Sequence, residues 1–101
     1  MEILTSRSAP ASVSVRLTPR FATEGDRNVE LSLTSRGRLW KSATVYINDV
    51  PLETRWVGPQ ELRAKVPGDV IDKAGVYRVR VNYPGPNGGF SAPVSFIVGY
   101  K

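Results

Sequence analysis

The chain contains no cysteine and no histidine. Without thiols there is no disulfide to brace the fold and no thiolate nucleophile. Without imidazole, the triads that need a histidine base have no central member, and zinc sites lose their usual ligands. The missing cysteine fits a reducing compartment, and equally a secreted domain of the cysteine-free kind. Long apolar runs are also absent. Nothing approaches the ~20 residues a bilayer-spanning helix needs, so no membrane insertion is expected. Met1-Glu2-Ile3-Leu4 lacks the basic start and apolar middle of a signal peptide. Either the protein stays inside the cell or this is a piece of a longer chain, and the second is the working expectation.

At 101 residues the chain has room for one domain. A chain of this size buries roughly two thirds of its unfolded surface, enough for one modest core. Its hydrophobic content of 41% rules out a disordered tail. Fourteen Lys and Arg against nine Asp and Glu give a net charge of +5. That sign draws acidic partners. The arginines are scattered, however, and no basic run forms a nucleic-acid stripe, so nucleic acid is not the expected partner.

Apolar residues recur with a period of two along most of the chain. Residues 1–11 carry no such period and read as a flexible lead or linker; residues 12–101 read as a single domain. Val13, Val15 and Leu17 make a first strand, closed by Pro19. Val29, Leu31 and Leu33 make a second. Val45 and Ile47 face the core of a third, from about Ala43 to Asn48, with Thr44 and Tyr46 opposite. Leu52, Thr54 and Trp56 share one phase of a fourth, and Leu62, Ala64 and Val66 one phase of a fifth. Residues 68–74 hold the only helix candidate, with Val70 and Ile71 inward for about one turn. Tyr77, Val79, Val81 and Tyr83 then alternate with Arg78, Arg80 and Asn82. Ala92, Val94, Phe96 and Val98 alternate less cleanly with Pro93, Ser95 and Ile97. Asn87-Gly88 between these last two suits a hairpin turn. About seven short strands with turn signals between them predict an all-β fold: an immunoglobulin-like antiparallel β-sandwich with at most one short helical turn near 68–74. A small barrel is the structural alternative.

Several short motifs stand in an order that resembles the IPT/TIG family. Leu17-Thr18-Pro19, Gly25, Gly37-Arg38-Leu39-Trp40, Asn48-Asp49-Val50-Pro51-Leu52, Gln60 through Pro67, Gly75, Val79, Val81, Gly88-Gly89, Ser91 and Phe96 to Val98 carry the likeness, which runs from about Val15 to Val98. Two departures are Trp40 where the family has Phe and Asp49 where it has a turn glycine. The family has an immunoglobulin-like fold and occurs in plexins, in some transcription factors and in many bacterial surface proteins. The resemblance implies a core position for Trp40 and an extracellular or cell-envelope setting. Gly75-x-Tyr77-x-Val79 also stands where immunoglobulin-like domains place a tyrosine corner. Tyr77 is then expected to return its hydroxyl to an upstream backbone group. Val79 takes the place of the disulfide cysteine of antibody domains.

Little in the chain points to catalysis. Glu24, Asp26, Asp49, Asp69 and Asp72 fall in turns, where acids are ordinary loop residues, so neither a metal site nor acid–base chemistry is expected. Gly85-x-x-Gly88-Gly89 sits in a hairpin and not between a strand and a helix, so it is no phosphate loop. Ser91 and Ser95 have no base to activate them. No enzyme activity and no cofactor are expected. Binding has better candidates. Arg78 and Arg80, with Tyr46 on a neighbouring strand, make a partner-facing patch of the Arg-plus-Tyr kind, which a plain solvated face also matches. Trp56 joins it if exposed, although its phase favours burial. The expected function is a structural, spacer or protein-interaction module from a larger surface or secreted protein, whose partners are neighbouring domains or other proteins. A carbohydrate-associated module contacting polysaccharide through Trp56, and an accessory nucleic-acid-binding domain, are the alternatives.

Overall fold

Each alternating run becomes a strand that turns its apolar residues to one side, and two sheets meet over those sides. The computed structural model describes residues 15–35, 39, 41–86 and 88–101. Ten strand segments follow one another: β1 (Val15–Thr18), β2 (Phe21–Thr23), β3 (Val29–Ser35), β4 (Thr44–Ile47), β5 (Val50–Pro51), β6 (Glu53–Gly58), β7 (Glu61–Val66), β8 (Gly75–Tyr83), β9 (Gly89–Phe90) and β10 (Val94–Gly99). The smaller sheet runs β1-β3-β7-β6. The larger runs β2-β10-β8-β4-β5, with β9 also paired to β8. This is the strand order of an immunoglobulin sandwich, with one extra short strand at each edge of the second sheet. Every pairing is antiparallel except β2 with β10, which is parallel.

The core lies between the sheets. Leu33 of β3 pairs with Leu62 of β7 in one layer, and Val45 of β4 with Val81 of β8 in the other. All four are fully buried, as are Ile47, Val79 and Phe96. Ile47 and Val79 are cross-strand partners, so the wall of the larger sheet is made of β-branched side chains packed side by side.

Where the ladders break, side-chain oxygens take over. Thr54 of β6 points inward. Its hydroxyl accepts from the Val45 N–H and donates to the Leu52 carbonyl, both at 2.9 Å. One threonine thus ties the edge of the smaller sheet to β4 of the larger. Ser91 does the same for β8. That strand pairs with β10 as far as Val79 and with β9 from Asn82 on, which leaves a gap at Arg80 and Val81. Ser91 lies in the gap, donates its N–H to the Val81 carbonyl at 2.8 Å and accepts the Val81 N–H on Oγ at 2.9 Å. A Cβ at Gly88 would overlap the Tyr83 carbonyl oxygen, so the approach to β9 requires glycine there.

The structure departs from the sequence reading in several places. Residues 68–74 form turns, and no helix occurs among the described residues. Val70 and Ile71 do point inward, but they are held by one tight turn, the Val70 N–H donating to the Pro67 carbonyl at 3.0 Å, and by the Ile71 carbonyl accepting from the Gly25 N–H at 2.8 Å, not by a run of helical bonds. The seven expected strands are present as β1, β3, β4, β6, β7, β8 and β10, and the described residues add three short segments, β2, β5 and β9, too short to show a period. Ala92 is exposed and outside any strand. The expected lead at 1–11, Val13, the core position of Trp40, and Asn87 of the hairpin turn lie outside the described residues.

Candidate interaction face of the larger sheet

The two outer faces differ in chemistry. On the smaller sheet, Glu30, Lys65 and Glu53 lie side by side on β3, β7 and β6, a row of alternating sign. Next along, the Glu61 carboxylate accepts from Arg63 Nε at 2.9 Å and from the Ser32 hydroxyl at 3.0 Å. These contacts hold the Glu61 carboxyl below its usual range, the Arg63 bond contributing most and the Ser32 bond next. Val57, beside the β6 bulge, is the one exposed large apolar residue of this face among the described residues. It is a solvated surface.

The outer face of the larger sheet is built otherwise. Phe21 of β2 pairs with Ile97 of β10, and Ile97 pairs in turn with Val76 of β8. Partners in a ladder point to the same side, so the three form one continuous row across three strands, ~10 Å long. Phe21 is 63% exposed, Val76 64% and Ile97 44%. Together they leave roughly 300 Å² of apolar side chain in water, about the size at which a patch on a soluble protein is often a contact site.

The rows beyond it are polar and aromatic. Arg78 lies two residues from Val76, with Ser95 of β10 as its cross-strand partner. On its other side Asn48, in the left-handed conformation at φ 53°, closes the turn between β4 and β5. Asn48 accepts the Arg78 N–H on Oδ1 at 2.9 Å and donates its own N–H to the Arg78 carbonyl at 2.7 Å. Arg80 comes next, paired with Tyr46 of β4. Its guanidinium carbon sits 4.4 Å from the centre of the Phe90 ring, and Phe90 meets Tyr46 edge to face at 5.2 Å. One Arg80 nitrogen donates to the Asn48 carbonyl at 3.3 Å and to Asp49 Oδ1 at 3.2 Å. Aromatic stacking and a turn therefore hold Arg80 in place.

Tyr46, Arg78 and Arg80 thus share this outer face. Trp56 does not join them. It sits on β6 of the other sheet, half-buried against the core, and donates Nε1–H to the Leu39 carbonyl at 3.2 Å. Lys41 Nζ lies 5.0 Å from the ring centre. The tryptophan is a wall of the core under a lysine, not an open stacking platform. Phe21, Val76, Ile97 and Phe90 are the face residues the sequence reading missed. Val76 and Ile97 carried a signal, since each is apolar in the polar phase of its strand. Phe21 carried none, because β2 has only three residues.

Tyr77 and Val79 hold the face from beneath. Val79 is fully buried. The Tyr77 hydroxyl donates to the Lys73 carbonyl at 2.6 Å, pinning the chain that enters β8. The turn acids are also engaged with backbone. Asp26 accepts from the Thr23 N–H at 2.9 Å, and Glu24 from the Ala74 N–H at 2.9 Å and the Lys101 N–H at 3.3 Å. Asp69 and Asp72 are exposed. Compared with known proteins, the chain matches no family model, and no curated protein is similar enough to count as a relative.

Proposed function

We propose that the chain is a noncatalytic immunoglobulin-like module of the IPT/TIG kind, which binds protein through the outer face of its larger sheet and serves within a larger surface or secreted protein. The observation that carries this reading is the contrast between the two faces. One carries charges of both signs and a single exposed large apolar residue, Val57, while the other carries four of the seven exposed large apolar residues among the described residues: Phe21, Val76, Phe90 and Ile97. Leaving such residues in water has no benefit for folding, whereas covering them with a partner removes apolar area from water. Arginine and tyrosine beside them are the residue types that dominate contact energies. The strand order and the Tyr77–Lys73 hydrogen bond support the immunoglobulin-like part of the assignment.

Peptides selected from a displayed random library against the folded domain test the reading. They should bind the double variant Val76→Ser/Ile97→Ser about tenfold or more weakly than the unaltered chain. They should bind Glu30→Ser/Glu53→Ser as well as the unaltered chain. Selected peptides that ignore the first variant, or are lost with the second, refute it.

A further inference from the structure

The larger sheet's outer face has a sign as well as an apolar row. Arg78 and Arg80 follow Val76 on the same side of β8, at steps of ~6.7 Å along the strand. Both line a cleft of about 490 Å³ between the Asn48–Asp49 turn and the Ser91–Pro93 segment. The Arg78 guanidinium has no hydrogen bond or ion pair among the described residues. Arg80 Nε is buried without a partner, so this side chain presents only its outer nitrogens. The sole acid on the cleft among the described residues is Asp49, which is 97% exposed at a turn tip and holds Arg80 at 3.2 Å. An exposed pair of that kind is weak and readily exchanged for an incoming carboxylate.

From this we infer that the partner is an extended protein segment that sets carboxylate side chains beside apolar ones: its apolar groups cover Phe21, Ile97 and Val76, and its carboxylates enter the cleft at Arg78 and Arg80. The inference rests on the reading of this face as a protein contact and adds the partner's chemistry. Charge complementarity selects that chemistry, because the partner must supply the sign the cleft lacks. The same face of a second copy carries the same two arginines and does not supply it. A nucleic-acid backbone would satisfy the arginines and leave the apolar row facing phosphates.

Amide chemical shifts of the isotope-labelled chain, titrated with three short peptides, test this. In the first, leucine alternates with glutamate; in the second, leucine with lysine; in the third, glycine with glutamate. The leucine–glutamate peptide should move the amides of Val76, Arg78, Arg80 and Ile97 and bind at least about tenfold tighter than the others. Arg78→Glu should reverse the order in favour of leucine–lysine, with the dispersed spectrum of a folded domain retained. Equal binding of both leucine peptides, lost in Val76→Ser/Ile97→Ser, overturns the acidic partner and leaves the interaction face standing. Shifts confined to the Glu30–Lys65–Glu53 side overturn both. So does silence at Val76, Arg78 and Ile97 with all three peptides. Stronger competition for Arg78 and Arg80 by duplex DNA than by the leucine–glutamate peptide overturns the acidic partner, as does concentration-dependent self-association through Ile97.

Discussion

Replacing Ser91 with alanine tests whether one side chain stands in for a missing length of strand. Ser91 is 3% exposed, and its Oγ accepts the Val81 N–H at 2.9 Å where β8 has neither β9 nor β10 beside it. Alanine keeps the Ser91 N–H that bonds the Val81 carbonyl, so the perturbation is the loss of that one acceptor and of the hydroxyl's long 3.4 Å bond to the Ala92 carbonyl. The Val81 N–H is then buried in the middle of the sheet with nothing to receive it. Leaving a buried donor unpaired costs ~1–3 kcal/mol, and ~2 kcal/mol is the expected loss for Ser91→Ala. In urea, followed by tryptophan emission, the midpoint should fall by about 1 M. On heating, it should fall by roughly 8–16 °C. Hydrogen exchange supplies a local readout, because the Val81 amide should lose protection. Ser95→Ala, an exposed change on the neighbouring strand, should stay within about 0.5 kcal/mol of the unaltered chain. If Ser91→Ala unfolds at the original midpoint, or Val81 keeps its protection, the hydroxyl is not completing the sheet and the reasoning is wrong.

Thr54→Val preserves shape and removes the hydroxyl that serves both Val45 and Leu52. It should destabilise by about 2 kcal/mol in the same unfolding assay, even after the added methyl's burial, while Thr54→Ser keeps most of the stability. Tyr77→Phe removes the bond to the Lys73 carbonyl and should cost about 1 kcal/mol; an unchanged midpoint would show that the bond contributes nothing. Burial raises the Tyr83 hydroxyl's pKa above the usual 10.0, so the folded state keeps it neutral after the unfolded chain has ionised. Its contribution is therefore complete below pH ~10 and fades as pH rises through the higher folded value. Tyr83→Phe should flatten the alkaline limb of the stability curve relative to the unaltered chain.

The sequence disclosed the central strands because their burial is one-sided. Leu31, Leu33, Leu62, Ala64, Val79 and Val81 fall in strict alternation and are all buried. Alternation reports which side of a strand is dry, but not which strand lies next to it. Trp56 shows the difference: its inward phase was legible, but its place in the sheet opposite Arg78 and Arg80 depended on pairing partners distant in sequence. The apolar row was hidden for the same reason, since Phe21, Val76 and Ile97 come from three separate stretches. Their one trace was the imperfect alternation at Val76 and Ile97, and an apolar residue in the polar phase reads as noise until a neighbouring strand aligns it with another. The short strands β5 and β9 have two residues each, a single repeat of the alternation that identifies a strand, and one repeat shows no period. Residues 68–74 misled differently. Val70 and Ile71 face inward as the pattern predicts, but one tight turn at Pro67–Val70 and a bond from Gly25 to the Ile71 carbonyl are enough to hold them there, and inward phase over so few residues does not tell a turn from a helix.

The parallel pairing of β2 with β10 has a mechanical consequence. The two segments lie side by side and run the same way, with Ile97 N–H donating to the Arg20 carbonyl at 2.9 Å and Glu24 N–H to the Gly99 carbonyl at 2.9 Å. Tension that enters the domain before Val15 and leaves after Gly99 pulls these neighbours in opposite directions along their length. The bonds between them are then sheared together and share the load, instead of tearing in succession from one end. A module joined to others in this way would extend little until the whole clamp gave at once.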